Sequence, residues 1–302
     1  MVAPVRLFRT AGCVVLLVLV ASTAAAQIED QVSVYTGDNA KNYLDPLSQA
    51  IGADLTSAIW TSGYIPLEDG FHISFETRIV GLIFDDEMRT FTATTEQGFS
   101  PETEEEVSTV IGDGGSIVVL GDGDSSFAFP GGFDVNSFAL AVPQLRIGAY
   151  RGTEVLVRFF AMNNDDIEIG DISLYGFGVH HSISQYMGPD FPVDLAAGVF
   201  YQKLKVGDDL MDATAYSFGV QGSKRFPAGF AIVEPYASLA VDMYSNDISY
   251  ESGETTVNLE YESDTSLDFT VGLNLHAAFF SLNGEYSISG QNTFAFGFGL
   301  GF

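Results

Sequence analysis

His180, His181 and Ser182, with Ser184 two positions further on, set a general base beside hydroxyl groups, and Asp171 or Asp190 could orient one of the histidines. Such an inventory would suit acyl transfer or ester hydrolysis, where nucleophile and base must lie within hydrogen-bond reach. The residues sit in a segment that alternates like a strand, however, and successive strand side chains point to opposite faces. His181 and Ser182 therefore cannot cooperate directly, which leaves only cross-strand partners; no enzyme is expected, and the residues read as polar strand ends near the headgroups. The same facing argument spoils the adjacent histidines as a zinc chelate. Oxygen ligands are more plentiful. Asp113-Gly114-Gly115, Asp122-Gly123-Asp124 and Asn163-Asn164-Asp165-Asp166 would suit calcium, but none completes the loop spacing that ends in a bidentate glutamate. Solvated turns are the plainer reading, with calcium in the acidic loops kept as a candidate partner. No phosphate-cradling or dinucleotide glycine motif appears, and no cofactor is expected.

A second set of charges shares one property: each lies on the polar face of an alternating segment. Glu76, Arg78, Arg146, Arg158, Glu234, Asp242, Asp268, His276 and Glu285 make up the set. If the opposite faces meet lipid, these nine line a lumen, since an arginine turned toward lipid at mid-bilayer costs about 2 to 4 kcal/mol. They would either form an ion-pair network that fills a narrow barrel or provide a charged lining for a pore.

The elements that must position them have a period of two. From Phe71, the residues Phe71, Ile73, Phe75, Thr77 and Ile79 alternate with His72, Ser74, Glu76, Arg78 and Val80. Leu140, Val142, Leu145, Ile147 and Ala149 continue the pattern with a slip at Pro143, where a bulge is expected. A turn at Tyr150-Arg151-Gly152-Thr153 then returns the chain through Val155, Val157, Phe159 and Ala161. Further strands are expected at 169–185, 193–205, 213–225, 230–247, 256–275, 277–289 and 293–302, which makes about ten, with 8 to 14 as the range. Each is close to the 9 to 11 residues that a tilted strand needs to cross a bilayer.

Two stretches break the pattern. Asp38 to Gly52 reads as a helix capped by Asp38 or Asn39, with Ala40, Tyr43, Leu44, Leu47 and Ile51 at helical spacing, Pro46 as a kink point and Gly52 as its end. Residues 85–137 are too polar and Gly-rich for one strand and read as a long loop, with a small hairpin near Ile117 to Leu120, folded over a barrel mouth or tucked inside. At the amino terminus two arginines, a short apolar run and Ala24-Ala25-Ala26 read as a signal peptide spanning 1–26. Its loss would remove Cys13, the one cysteine, and would take the formal charge from −28 to −30 with Arg6 and Arg9. So acidic a chain is not expected to bind nucleic acid. The expected organisation is a helical hatch or periplasmic segment over 27–69 and an all-β, antiparallel transmembrane barrel over 70–302.

The last strand shows the alternation most sharply: Phe294, Phe296, Phe298, Leu300 and Phe302 on one face, Ala295, Gly297, Gly299 and Gly301 on the other. It resembles the carboxy-terminal strand of bacterial outer-membrane β-barrel proteins. That resemblance implies a place among outer-membrane lipids and insertion by the barrel assembly machinery, which reads such a strand. The order NAKNYLDPLSQAIGADL, GFHISFE, FDDEMRTFTATTEQGFS is similar to a family of uncharacterised bacterial outer-membrane proteins with no assigned activity. The long-chain fatty-acid transporters also pair a helical hatch with a barrel, an architectural similarity only. The expected function is a channel or transporter of small or hydrophobic solutes. A structural or adhesive barrel is the alternative, and a lipid-modifying enzyme the third reading.

Overall fold

The computed structural model describes residues 31–67, 72–96, 98–162, 171–188, 190–207, 210–252, 255–262 and 265–301. The segment expected to be a signal peptide, Phe71, the Asn163–Asp166 cluster and Phe302 lie outside the described residues. Helix α1 (Gly37–Thr56) comes first, then β1 (His72–Ile83). Two small hairpins follow, β2 (Thr90–Thr94) with β3 (Glu104–Ser108) and β4 (Ile117–Leu120) with β5 (Ser126–Phe129). The chain continues through β6 (Ser137–Tyr150), β7 (Thr153–Met162), β8 (Ile172–Ser182), β9 (Asp194–Val206) and β10 (Met211–Ser223). It ends with β11 (Phe226–Ala228), β12 (Ala231–Ser252), β13 (Thr255–Glu262), β14 (Ser266–Ala277), β15 (Phe280–Ile288) and β16 (Thr293–Gly301).

Ten of these strands close one antiparallel barrel in the order β1-β6-β7-β8-β9-β10-β12-β14-β15-β16, and β16 pairs back onto β1. Closure leaves no sheet edge, which is what strands in lipid require, because every unpaired main-chain group there would lack a partner. The outer surface is apolar: Phe75 and Ile79 on β1, Phe159 on β7, Phe177 on β8, Phe218 and Val220 on β10, and Phe269, Val271 and Leu273 on β14 are all exposed. Phe296 and Phe298 of β16 are exposed on the same surface, with Phe294 and Leu300 half-buried beside them. Tyr175, Tyr201 and Tyr216 touch ring to ring across β8, β9 and β10, in the manner of the aromatic girdles of membrane barrels.

The connections differ at the two ends. At one end two of them, β6–β7 and β14–β15, are two-residue turns, and in the first Arg151 (φ 47°) and Gly152 (φ 69°) both take the positive φ that a type I′ turn needs. At the other end, the loop end, lie the β2–β5 hairpins and the long β12–β13 ribbon. Two expectations about strands are corrected. The chain over 256–275 is not one strand: β13 pairs with the outer half of β12, and β14 pairs with its inner half. Nor does β6 slip at Pro143, which sits in continuous register opposite Thr77; the irregularity falls between Gly148 and Tyr150. Leu140 and Val142, expected on the greasy face with Leu145 and Ile147, instead point inward, because α1 offers them Ile51 and Leu55.

Helix α1 lies inside the barrel. It starts at Gly37 after Thr36, and neither Asp38 nor Asn39 caps it. Glu96, from the loop after β2, accepts the Thr36 main-chain N–H at 3.0 Å and its hydroxyl at 2.6 Å. Asn39 instead pairs with both main-chain groups of Thr94. The helix runs through Pro46 and past Gly52 to Thr56. Gly52 does not end it; a Cβ there would meet the Tyr244 ring at 2.8 Å, so glycine permits close approach to β12. The residues between β1 and β6 are not a single loop. The two hairpins pack Val107, Val110, Ile111 and Phe129 against Tyr35, Tyr43 and Leu44 of the amino-terminal segment, together with Ile248, Tyr250 and Leu259 of the β12–β13 ribbon. A second hydrophobic core therefore sits on the barrel mouth. Arg89 fastens it by pairing with Asp113 at 3.1 Å and Asp134 at 2.5 Å, bonds that raise the guanidinium pKa. Asp113, one of the calcium candidates, is thereby engaged.

Candidate functional site

A ten-stranded barrel is narrow, and here its lumen is occupied from end to end. Below α1 the chain continues without regular structure from Ser57 to Leu67 toward the short-turn end, where β1 begins. From Ser57 to Gly63 it is largely buried and, among the described residues, makes no main-chain hydrogen bond to a strand, so its polar groups need other partners. Wall side chains supply them. Arg158 Nη2 donates to the Ser57 and Ala58 carbonyls at 2.9 and 2.8 Å. Arg146 Nη2 reaches the Ile59 carbonyl at 3.1 Å, and Asn274 Nδ2 the Thr61 carbonyl at 2.6 Å. Gln221 Oε1 accepts the Ser62 N–H and Ser223 Oγ the Gly63 N–H, both at 3.1 Å. Ala58 is held at φ 58°, a backbone conformation that L-residues rarely adopt.

Of the nine predicted lumen charges, eight are buried on inward positions and His276 is half-buried. They do not form a single network. Glu76 takes two hydrogen bonds from Arg78, at 2.7 and 3.1 Å, and one from Gln144 at 2.6 Å, with Arg146 Nε 3.7 Å away. Arg146 in turn bonds Glu154 at 2.7 Å. Arg158, completely buried, stands apart from any carboxylate in direct contact; it bonds Gln144 and Gln202 and lies over the Phe200 ring at 5.2 Å. Glu234 pairs with His276 at 3.1 Å and accepts from Ser62 at 2.5 Å. Asp242 accepts from Ser217, Asp268 from Thr270, and Glu285 from the Tyr236 hydroxyl.

Four important lumen residues escaped the sequence reading. Glu154 and Gln144 share the inward parity of Arg158 and Arg146 and could have been found by extending the alternation. Tyr236 likewise shares the inward parity of Glu234 and Asp242 on β12, whereas Trp60 carries no such signal, because it lies in an aperiodic segment. The Trp60 indole stacks on His180 at 4.8 Å and donates to Ser217 at 2.8 Å. Gly219 makes room for it, since a Cβ there would sit 2.5 Å from the ring. His180 is thus a buried wall residue and not a polar strand end near the headgroups. His181 faces the other way, bonding Thr153 at 2.8 Å and Tyr186 at 2.9 Å. The structure does not bring a histidine and Ser182 together, and among the described residues no cluster of three or more metal-ligating side chains occurs.

Asp54, on α1, is fully buried, and neither carboxylate oxygen has a partner; the Leu140 main-chain N–H lies toward it without closing a bond. A buried, unpaired carboxylate is costly. Asp54→Asn should therefore stabilise the folded protein at neutral pH by about 1 to 3 kcal/mol. Denaturation in detergent checks this, and an unchanged or lower midpoint would count against the solvent-free environment described.

Two cavities of about 340 Å³ each flank the plug on the same wall. The one at the short-turn end is bordered by Glu76, Arg78, Glu234, Asn274, His276 and Asn283. The other, at the loop end, is bordered by Lys41, Asp45, Gln49, Asp242, Tyr244 and Glu262. Along β12, the inward residues Tyr236, Ser238 and Ala240 separate them. Hydrogen bonds seal the partition: Ser57 to Thr293 at 2.8 Å, Thr270 to Ser287 at 2.7 Å, and Asn283 to Tyr236 at 2.8 Å.

A closed sheet with an apolar exterior and a charged, occupied interior defines a plugged transmembrane β-barrel. The chain belongs to a family described as Family of unknown function (DUF6588), whose model matches residues 6–302. No curated protein matches it. Among solved structures it is similar to the β domain of the Bordetella autotransporter BrkA, at 10% identity over 77% of this chain and 99% of that one, with a TM-score of 0.37. It is also similar to a loop-deletion mutant of OmpT, an outer membrane protein of Vibrio cholerae, at 10% identity over 77% and 98%, with a TM-score of 0.26. The transport unit of the autotransporter AIDA-I from Escherichia coli gives 10% identity over 84% and 97%, with a TM-score of 0.27. These superpositions are loose, and the class assignment stands on the strand pairing and surface chemistry of this chain alone.

Proposed function

We propose that the protein is an outer-membrane channel for small polar solutes, held closed by its own amino-terminal segment. The observation that supports this reading is the pair of cavities, each bordered by several charged side chains, that face each other across one hydrogen-bonded partition. Both carry several charged side chains, which favours ions and small polar molecules over the hydrophobic solutes also expected from the sequence. Membrane barrels place short turns on the periplasmic side and longer loops outside, so the acidic loop-end cavity would face the exterior. Opening would require the partition to part, not the whole plug to leave.

Tyr236→Ala removes the largest side chain of the partition. Purified into planar bilayers, this variant should show conductance steps that are absent or rare in the wild type, and should admit sugars in liposome swelling. If neither protein passes ions or sugars, the channel reading fails. The tightly filled lumen would then favour a structural role, with the exposed Val118 and Leu120 of the loop-end hairpin as its contact surface.

A further inference from the structure

The interior wall treats residues 57–63 as a ligand. Among the described residues, no main-chain to main-chain hydrogen bond joins this segment to a strand; six main-chain groups are instead bonded by side chains from β6, β7, β10 and β14. Contacts of this kind do not depend on the order of the side chains they pass. Most of the segment is small, namely Ser57, Ala58, Thr61, Ser62 and Gly63. Its one large anchor, Trp60, enters a recess formed by His180, Ser217 and Gly219. At Gly63 a Cβ would lie 2.2 Å from the Asp194 carbonyl oxygen, so one position admits only glycine.

We propose that the lumen is a binding track for a non-helical polypeptide segment, and that residues 57–63 occupy it in cis. The track reads the main chain, with two strict side-chain requirements, an aromatic ring for the recess and a glycine three residues later, and it also bonds the hydroxyls of Ser57, Thr61 and Ser62. The occupant in trans is an irregular peptide segment of small, hydroxyl-bearing residues that meets both conditions. Filling an irregular strap's hydrogen bonds is a structural need in itself, so the distinguishing property is exchange. A track that reads main chain accepts a second peptide once the resident anchor is weakened. This inference does not depend on conduction.

Trp60 is the single tryptophan of the chain, so the full-length Trp60→Ala protein is silent and a synthetic peptide supplies all indole fluorescence. The peptide SAIWTSGYIPL, residues 57–67, is titrated into that protein in detergent, and gel mobility before and after heating verifies the folded barrel. Saturable binding with a blue-shifted emission is expected. A peptide with Ser57, Thr61 and Ser62 permuted among themselves, which keeps a hydroxyl at each of the three positions and leaves Trp and Gly in place, should bind within about threefold, whereas adding Asn274→Ala and Ser223→Ala to the protein should weaken binding at least fivefold. Should Trp60→Ala not fold, Trp60→Phe, equally silent, takes its place. Absence of saturable binding overturns the proposal. So does affinity indifferent to Asn274 and Ser223, or complete loss of binding on permutation.

Discussion

Arg158→Ala should lower the stability of the folded barrel by about 3 to 5 kcal/mol, because it leaves several buried acceptors without a donor. The guanidinium is fully buried at the point where α1 gives way to the irregular segment. Four acceptors converge on it: the carbonyls of Ser57 and Ala58 and the side-chain oxygens of Gln144 and Gln202. Truncation strands all four in a site too closely packed to admit a full complement of water, and each buried acceptor left alone costs about 1 to 3 kcal/mol. Arg158→Lys should recover only part of the loss, because an ammonium is a point donor and cannot match the planar fork. Conversion of the folded, detergent-resistant form to the unfolded form on heating, followed by gel mobility, measures the effect. A loss below about 1 kcal/mol would mean that the two carbonyls are satisfied in some other way.

Trp60→Ala should cost about 3 to 5 kcal/mol of plug docking, as buried aromatic truncations do, while leaving the strand pairing of the barrel intact. The two effects separate experimentally. Protease cleavage within 57–67 should become rapid while the barrel keeps its compact mobility. Trp60→Phe keeps the ring against His180 but gives up the bond to Ser217, and should cost about 1 kcal/mol. In the wild type, the emission of this sole tryptophan should be blue-shifted and partly quenched by the stacked imidazole. A wild-type spectrum typical of solvent-exposed indole would contradict the placement of the whole segment.

Much of this architecture is legible without coordinates, and the reason is the strand period. A side chain's parity decides whether it meets lipid or lumen, so Glu76, Arg78, Arg146 and Arg158 could be assigned together from Phe75, Ile79, Ile147 and Phe159 alone. The same rule misjudged Leu140 and Val142, because apolarity marks a lipid-facing residue only when nothing apolar fills the lumen. It also gave no warning that β12 serves two partners in succession, since pairing is a property of neighbours and not of a strand's own alternation.

What the sequence by itself determined is the class: an all-β closed sheet of about ten strands, greasy outside and charged within, because period-two alternation over membrane-length segments admits few other folds. What only the tertiary structure decided is the interior. Residues 57–67 have no periodicity, and wall side chains from strands as far as 213 residues away set their position. Long-range side-chain to main-chain bonds of that kind leave no local pattern, so the plug, its arginine clamp and the two cavities beside it became visible only when the barrel closed around them.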